Sequence, residues 1–321
     1  MLQETVRRAR AVAPPERTLV LTTEELAPAV RRQLPEIPAE NVIGEPVGRN
    51  TAACIGLAAV KVEETHPGGI MVVLPADHLV EDLPAFRQGV RLAADLAAQE
   101  HLVTIGIPPS RPETGYGYIE WGDTLRGTRG QAAWAASFTE KPTRPRAQRF
   151  VASGHYLWNS GIFAWRARRI LEEIDRFLPA LRRCLEKIRP ALGSTRERQA
   201  LRQHYPGLPS ISIDYGILER VERVAVVRGR FRWSDLGSWA AMEGLWRGAD
   251  GDGNALEGRV VAIGSRGCVV SAPERLVALC GVDDLVVVEA ADAVLVCHKS
   301  RAQDVRLVVQ ELERRRLDHL L

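Results

Sequence analysis

Short runs of consecutive apolar residues alternate with segments whose apolar positions recur at helical spacing through the first third of the chain. Leu2, Val6, Ala9 and Val12 share one face of a predicted helix over 2–12. After Pro14 and Pro15 come "TLVLT" (18–22), a helix over 24–34, "NVIGEP" (41–46), a helix over 51–64, "IMVVLPAD" (70–77), a helix over 83–100 and "HLVTIGI" (101–107). Strands that are apolar nearly throughout, set between amphipathic helices, belong to a sheet covered on both faces. The pattern therefore predicts an α/β fold with a doubly wound, mostly parallel, Rossmann-like sheet.

Beyond Gly115 the texture changes to strand-like pieces with irregular connections, "YGYIEWG", "AAWAASFTEKP" and "YLWNSGIFAW", followed by helices over 167–188 and 195–204. This reads as an insertion on the sheet. A Gly/Asp-rich stretch, "ADGDGNALEG" (249–258), then leads into short β-runs and one terminal helix. The expected organisation is one large domain over 1–250 and a small all-β module over 251–321.

With 321 residues, 45% hydrophobic and 26% charged, the chain can bury a core for both parts. The 43 basic and 40 acidic residues leave a net charge of +3, and the basic side chains are scattered, which argues against a nucleic-acid partner. Five widely spaced cysteines, Cys54, Cys184, Cys268, Cys280 and Cys297, form neither a zinc spacing nor a disulfide framework. No apolar run approaches the roughly 20 residues of a membrane span, and no secretory leader precedes the first helix. A cytoplasmic protein without a membrane partner is expected.

In open α/β sheets ligands sit beyond the carboxyl ends of the strands, which directs attention to the loops after "NVIGEP", "IMVVL" and "HLVTIGI". Asp77, with His78 beside it, stands at one of these mouths. A carboxylate there can hold Mg²⁺ together with substrate phosphates, or simply cap the next helix. A second carboxylate comes from Asp235 in "FRWSDLGSW", where Gly237 permits close approach of a ligand, or from Asp214 in "SISIDYGILE". The loop "EPVGRNTAA" (45–53) offers Gly48 for an unusual backbone angle, Asn50 or Thr51 as a helix cap, and Arg49 for an anion or a base. "FTEKP" places Glu140 and Lys141 side by side, suited to a sugar hydroxyl and a phosphate or to a surface ion pair. "WNSGIFAW" offers the Asn159 amide for a sugar or a turn.

Taken in order, "EPVGRNTAACIGLAA", "VLPADH", "PETGYGYIE", "FTEKP", "WNSGIFAW", "SIDYGILE" and "SDLGSW" resemble, over nearly the whole chain, the mannose-1-phosphate guanylyltransferases. The C-terminal "DGDGNALEG" and "GVDDLVVVEAADAVLVCHKSRAQDV" look like that family's small β-domain. The resemblance implies a Mg²⁺-dependent nucleotidyltransferase that makes GDP-mannose and pyrophosphate from GTP and mannose 1-phosphate. It implies Asp77 and Asp235 as metal ligands and Glu45, Gly48, Arg49, Asn50, Thr51 and His78 on the nucleotide side. Gly115, Glu140, Asn159 and Asp214 would line the sugar pocket, and Lys141 would meet the sugar phosphate. A homodimer is carried as an expectation that the pattern itself does not fix.

The resemblance lacks one part. The family's first strand and its Gly-rich loop, approximately Gly-Gly-x-Gly-Thr-Arg-Leu-Trp-Pro, have no counterpart here, and "MLQETVRRA" resembles the helix that follows them. A weakened sheet and little turnover without that segment are expected, since the loop supplies amide and cationic donors for a triphosphate. No cupin-type isomerase domain follows the β-module, so no phosphomannose isomerase activity is expected. The rival readings are another sugar-1-phosphate nucleotidylyltransferase, such as a glucose-1-phosphate thymidylyltransferase, and a non-catalytic relative that binds GDP-mannose. A dinucleotide-binding dehydrogenase is disfavoured because no G-x-G-x-x-G opens a helix after a strand.

Overall fold

The computed structural model describes residues 1–237 and 250–320. The "SW" end of "SDLGSW" and Ala249 lie outside them. The chain divides into two compact units, Met1–Trp233 and Ser234–Leu321.

The first unit is α/β. Strands β1 (Val20–Thr23) and β2 (Val42–Glu45) form a parallel pair. Six further strands form one sheet in the order β3 (Ile70–Val73), β7 (Tyr156–Arg166), β4 (Val103–Ile107), β8 (Ala225–Arg228), β6 (Ala132–Thr139), β5 (Tyr118–Thr124), with β5 also paired to β7. Strands β3, β4, β5 and β8 run one way, whereas β7 and β6 are laid antiparallel among them. The expected parallel direction thus holds for most strands, but β4–β8 is the parallel pair of the six-stranded sheet and the other neighbours are antiparallel. The reason is the insertion after residue 115, whose strands return between the others and take antiparallel partners.

Side-chain alternation divides β7 between two cores: Phe163 and Trp165 face one, Ile162 and Ala164 the other. The first core receives helices α3 (Asn50–Thr65), α5 (Ala167–Phe177) and α6 (Pro179–Ile188). The second receives α4 (Leu83–Ala98), whose buried Phe86, Gly89, Val90, Ala93, Leu96 and Ala97 follow the helical repeat. Read as a continuous helical region over 167–188, the α5–α6 segment instead breaks at Leu178 (φ −132°, ψ 55°), because Pro179 disfavours helical geometry in the residue before it. Helices α1 (Leu2–Ala9) and α2 (Ala27–Gln33) close a separate cluster of Val6, Ala27, Val30, Leu34, Ile37 and Val42 against β2.

The second unit carries strands β9 (Ala255–Ile263), β10 (Val269–Cys280), β11 (Leu285–Glu289) and β12 (Val294–His298). The first three stack in parallel and β12 returns antiparallel. Gly258 (φ 86°) sits where the β9–β10 register shifts, and a Cβ there would lie 2.0 Å from the Ala272 carbonyl oxygen. The buried Asn254 organises the entry, accepting from Cys268 N at 2.9 Å and donating to Asp250 and to the Ser265 carbonyl. Helix α7 (Val305–Arg314) follows the last strand. Among the described residues no helix is long and apolar enough to cross a membrane.

Candidate active site

Strand β2 delivers Glu45 to the loop expected on the nucleotide side, but its side chain turns inward. Glu45 is only 8% exposed, and its carboxylate accepts a hydrogen bond from the hydroxyl of the fully buried Tyr205. Burial pushes the Glu45 carboxyl above its ordinary range, with the Tyr205 bond opposing the shift. Burial, then the bond to Glu45, hold the Tyr205 hydroxyl well above the usual phenol range. Cys54, early in α3, is pushed up to about 12 by burial and then by the Glu45 charge.

Two expectations for this loop are corrected. The left-handed backbone belongs to Asn50 (φ 62°) and not to Gly48. Asparagine tolerates that region because its short amide can bond locally, and its Oδ1 accepts from Thr51 N at 2.8 Å. Nor does either residue cap α3 in the usual way, since Arg49 is the N-cap and has no side-chain cap bond. The Thr51 hydroxyl instead accepts from Ile213 N at 2.9 Å, and Arg49 donates to the Pro206 carbonyl.

At the end of β3, Asp77 does not cap the following helix. Asp82 does so, accepting from Ala85 N at 3.1 Å. The Asp77 side chain is 81% exposed and stands 3.8 Å from His78 Nε2. Trp233 Nε1, which can only donate, bonds His78 Nδ1 at 3.1 Å, so the neutral ring carries its proton on Nε2 toward Asp77. Helix α1 grips the backbone on either side of Asp77: Thr5 donates to the Ala76 carbonyl at 3.1 Å and Arg8 to the His78 carbonyl at 2.8 Å. His78 also reaches strand β7, where a Cβ at Gly161 would lie 3.7 Å from its Cε1.

The third group gathers the residues expected around a sugar. Asn159, on β7, donates from Nδ2 to Asp214 Oδ1 at 2.8 Å and accepts from the Thr104 hydroxyl at 3.0 Å. Asp214 opens a π-helical turn over Asp214–Leu218, closed by Glu219 N donating to the Asp214 carbonyl. The Glu140 carboxyl lies beside them, and its buried Oε2 has no hydrogen-bond partner. Burial, then the charge of Asp214, push Glu140 up to about 7 against the pull of Lys141. Burial also raises Asp214, with the Asn159 bond opposing.

Lys141 is exposed with φ 45°, held by its N–H to the Tyr116 carbonyl at 3.2 Å. Gly115 donates to Glu113 Oε1 at 3.3 Å, but the glycine pressed against the carboxyl is Gly117, where a Cβ would lie 2.3 Å from Glu140 Oε2. Sequence reasoning missed Gly117, Thr104, Glu219 and Tyr205. The repeat in "GYGY" was a usable signal for Gly117; Tyr205 left none, because its partner Glu45 is distant in sequence.

Among the described residues no three His, Cys, Asp or Glu side chains converge as a ready metal cage. The exposed Asp77 carboxylate suits a cation that takes its remaining ligands from water and a polyanionic substrate. Asp235 belongs to the second unit, near its start, and accepts from Gly237 N at 2.9 Å.

A model of the nucleotidyl transferase family matches residues 1–248, and a model of the mannose-phosphate isomerase/GMP-like β-helix domain matches 258–312. The mannose-1-phosphate guanylyltransferase of Escherichia coli is 39% identical over 318 residues, covering 98% of this chain and 67% of the relative. The xanthan biosynthesis protein XanB of Xanthomonas campestris is 39% identical over 320 residues, covering 98% of this chain and 66% of the relative. The chain therefore spans about two thirds of the length of these relatives. A Thermus thermophilus structure described as a mannose-1-phosphate geranyltransferase superposes with a TM-score of 0.82 at 38% identity, covering 97% of this chain and 89% of that one. With the α/β unit, the parallel β-module and these similarities together, the chain belongs to the mannose-1-phosphate guanylyltransferase family of nucleotidyltransferase enzymes.

Proposed function

We propose that this protein transfers the guanylyl group of GTP to mannose 1-phosphate, giving GDP-mannose and pyrophosphate. The observation that carries the reading is the cluster of Glu140, Asn159 and Asp214 with Lys141 beside it. A buried carboxyl oxygen lacking a partner, next to an amide and a second carboxyl, suits a polyhydroxylated ring, and the neighbouring exposed ammonium suits the phosphate on that ring. A phosphate oxygen of the sugar phosphate attacks the α-phosphorus of the nucleotide in line. The new P–O bond forms as the bond from the α-phosphorus to the bridging oxygen breaks, and pyrophosphate leaves with that electron pair. No general base is required, because the attacking oxygen is ionised at neutral pH. The protein's contribution is to position two polyanions and offset their charge.

Asp77 would hold the divalent cation, Mg²⁺, which offsets phosphate charge when bound. Arg49, Asn50 and Thr51, with Gly48, form the loop assigned to the nucleotide, with His78 oriented by Trp233 at its flank. Product of this kind would feed polysaccharide synthesis, the role named for the XanB relative.

The test is pyrophosphate release with Mg²⁺, mannose 1-phosphate and each nucleoside triphosphate in turn, by the chain alone and by the chain preceded by the family's strand and Gly-rich loop. GTP-dependent release in either form supports the reading, and Asp77→Asn and Asp235→Asn should each lower kcat by about 100-fold or more. Preference for another base, another sugar phosphate, or no release in both forms would overturn it.

A further inference from the structure

The loop assigned to the nucleotide is fastened almost entirely to one distant stretch of chain. Tyr205 donates its hydroxyl to the Glu45 carboxylate, and the Pro206 carbonyl accepts from Arg49. The Ile211 carbonyl accepts from Ala52 N at 3.2 Å, and Ile213 N donates to the Thr51 hydroxyl at 2.9 Å. The next residue is Asp214, bonded to Asn159 in the sugar cluster. Between these anchors Asn50 stands at φ 62°, the left-handed region that asparagine tolerates, with its Oδ1 accepting from Thr51 N.

We propose that Tyr205 is a positioning residue: by bonding Glu45 in the interior it fixes the 45–52 loop in its binding shape, and the 205–214 segment ties that loop to the sugar cluster. The proposal rests on the guanylyltransferase reading for the identity of the ligand. Two features argue for it. Glu45 is buried with its carboxylate toward Tyr205, so this glutamate acts on the nucleotide through the loop's shape and not by touching it. All the anchors fall on residues that flank Asn50 on both sides, so loss of one loosens the turn at that residue.

The test is Tyr205→Phe, which keeps the buried ring and removes the hydroxyl, read in two ways. Amide hydrogen exchange without any ligand should rise about tenfold or more in peptides covering 45–52 while peptides covering 103–107 stay as in the parent. In the active form of the enzyme, KM for GTP should rise about tenfold with kcat within about twofold, a split that a general loss of folded protein does not produce. Glu45→Ala should behave like Tyr205→Phe, and the double variant should be no worse than either, whereas a glutamate that contacts the nucleotide directly would give additive losses. Unchanged exchange in 45–52, or additive effects on the GTP KM, would overturn the proposal. If the parent binds and turns over no nucleotide, the functional reading fails, and the exchange experiment still decides whether Tyr205 holds the loop.

Discussion

Glu140 shows how much of the site depends on the placement of single atoms. Its carboxyl titrates at about 7 and not at the 4.5 of a free side chain, chiefly because it is buried and then because Asp214 faces it. A raised folded-state value means that the folded chain holds this proton more tightly than the unfolded one, so its stabilising contribution is complete below 4.5 and is lost as pH rises through 7. Glu140→Gln should therefore melt at a higher temperature than the parent at pH 8, by a difference on the order of 2 kcal/mol, and the two should converge near pH 4.5. Equal melting across that range would show that Glu140 is not buried as described. Gly117→Ala makes the complementary change: its Cβ would stand 2.3 Å from Glu140 Oε2 and 3.3 Å from Asn159 Cβ. The carboxyl is the mobile partner, so the fold should survive at a cost of about 1 kcal/mol while KM for mannose 1-phosphate rises about tenfold. The residue types at this cluster were readable in the sequence, but the glycine that admits the carboxyl was displaced by two positions. Close approach is a property of three-dimensional packing, and the string shows only that a glycine recurs.

Helices were read well where one periodic face meets one layer, as in α4, and strands where an apolar run is bounded by turns. What the pattern left hidden was order within the sheet. The near-continuous apolar run of β7 is the same whether its neighbours run parallel or antiparallel, and hydrogen-bond direction leaves no trace in composition. The π-helical turn at Asp214–Leu218 was equally unreadable, since its sequence "DYGIL" would serve an ordinary helix. The turn begins at Asp214, so its width sets where the following residues lie relative to that carboxyl. Deleting the exposed Tyr215 should let the turn close with α-helical bonds and rotate the following residues by about 100° relative to Asp214. The expected outcome is a folded protein by circular dichroism with sugar-phosphate affinity lowered at least about tenfold and nucleotide affinity nearly unchanged, measured by calorimetry. Loss of both affinities together would show that the turn serves the whole unit and not the sugar cluster.

Over the whole molecule, the change in texture near "DGDGN" led to an expected boundary after residue 250, whereas the compact units divide between Trp233 and Ser234; the buried Asn254 organises the β-strands of the second unit. Within the first unit, the β1–β2 pair is hydrogen-bonded apart from the six-stranded sheet: Val20 and Val42 pack in the small cluster with α1 and α2, while Leu21 and Ile43 turn to the main core. That separation has a consequence for motion. Opening of a native protein proceeds through cooperative pieces of unequal stability, and a two-stranded pair that has a modest cluster on one face and no further strand to bond belongs to the less stable kind. Residues 1–45 should exchange their amides sooner than β4 and β8, whose strands are buried in the centre of the larger sheet, and on the proposed reading GTP should slow that exchange, because the loop assigned to it begins where β2 ends. The nucleotide would then act as a fastener for the amino-terminal part of the fold, and cellular supply of GTP would govern how often that part lies open to proteases.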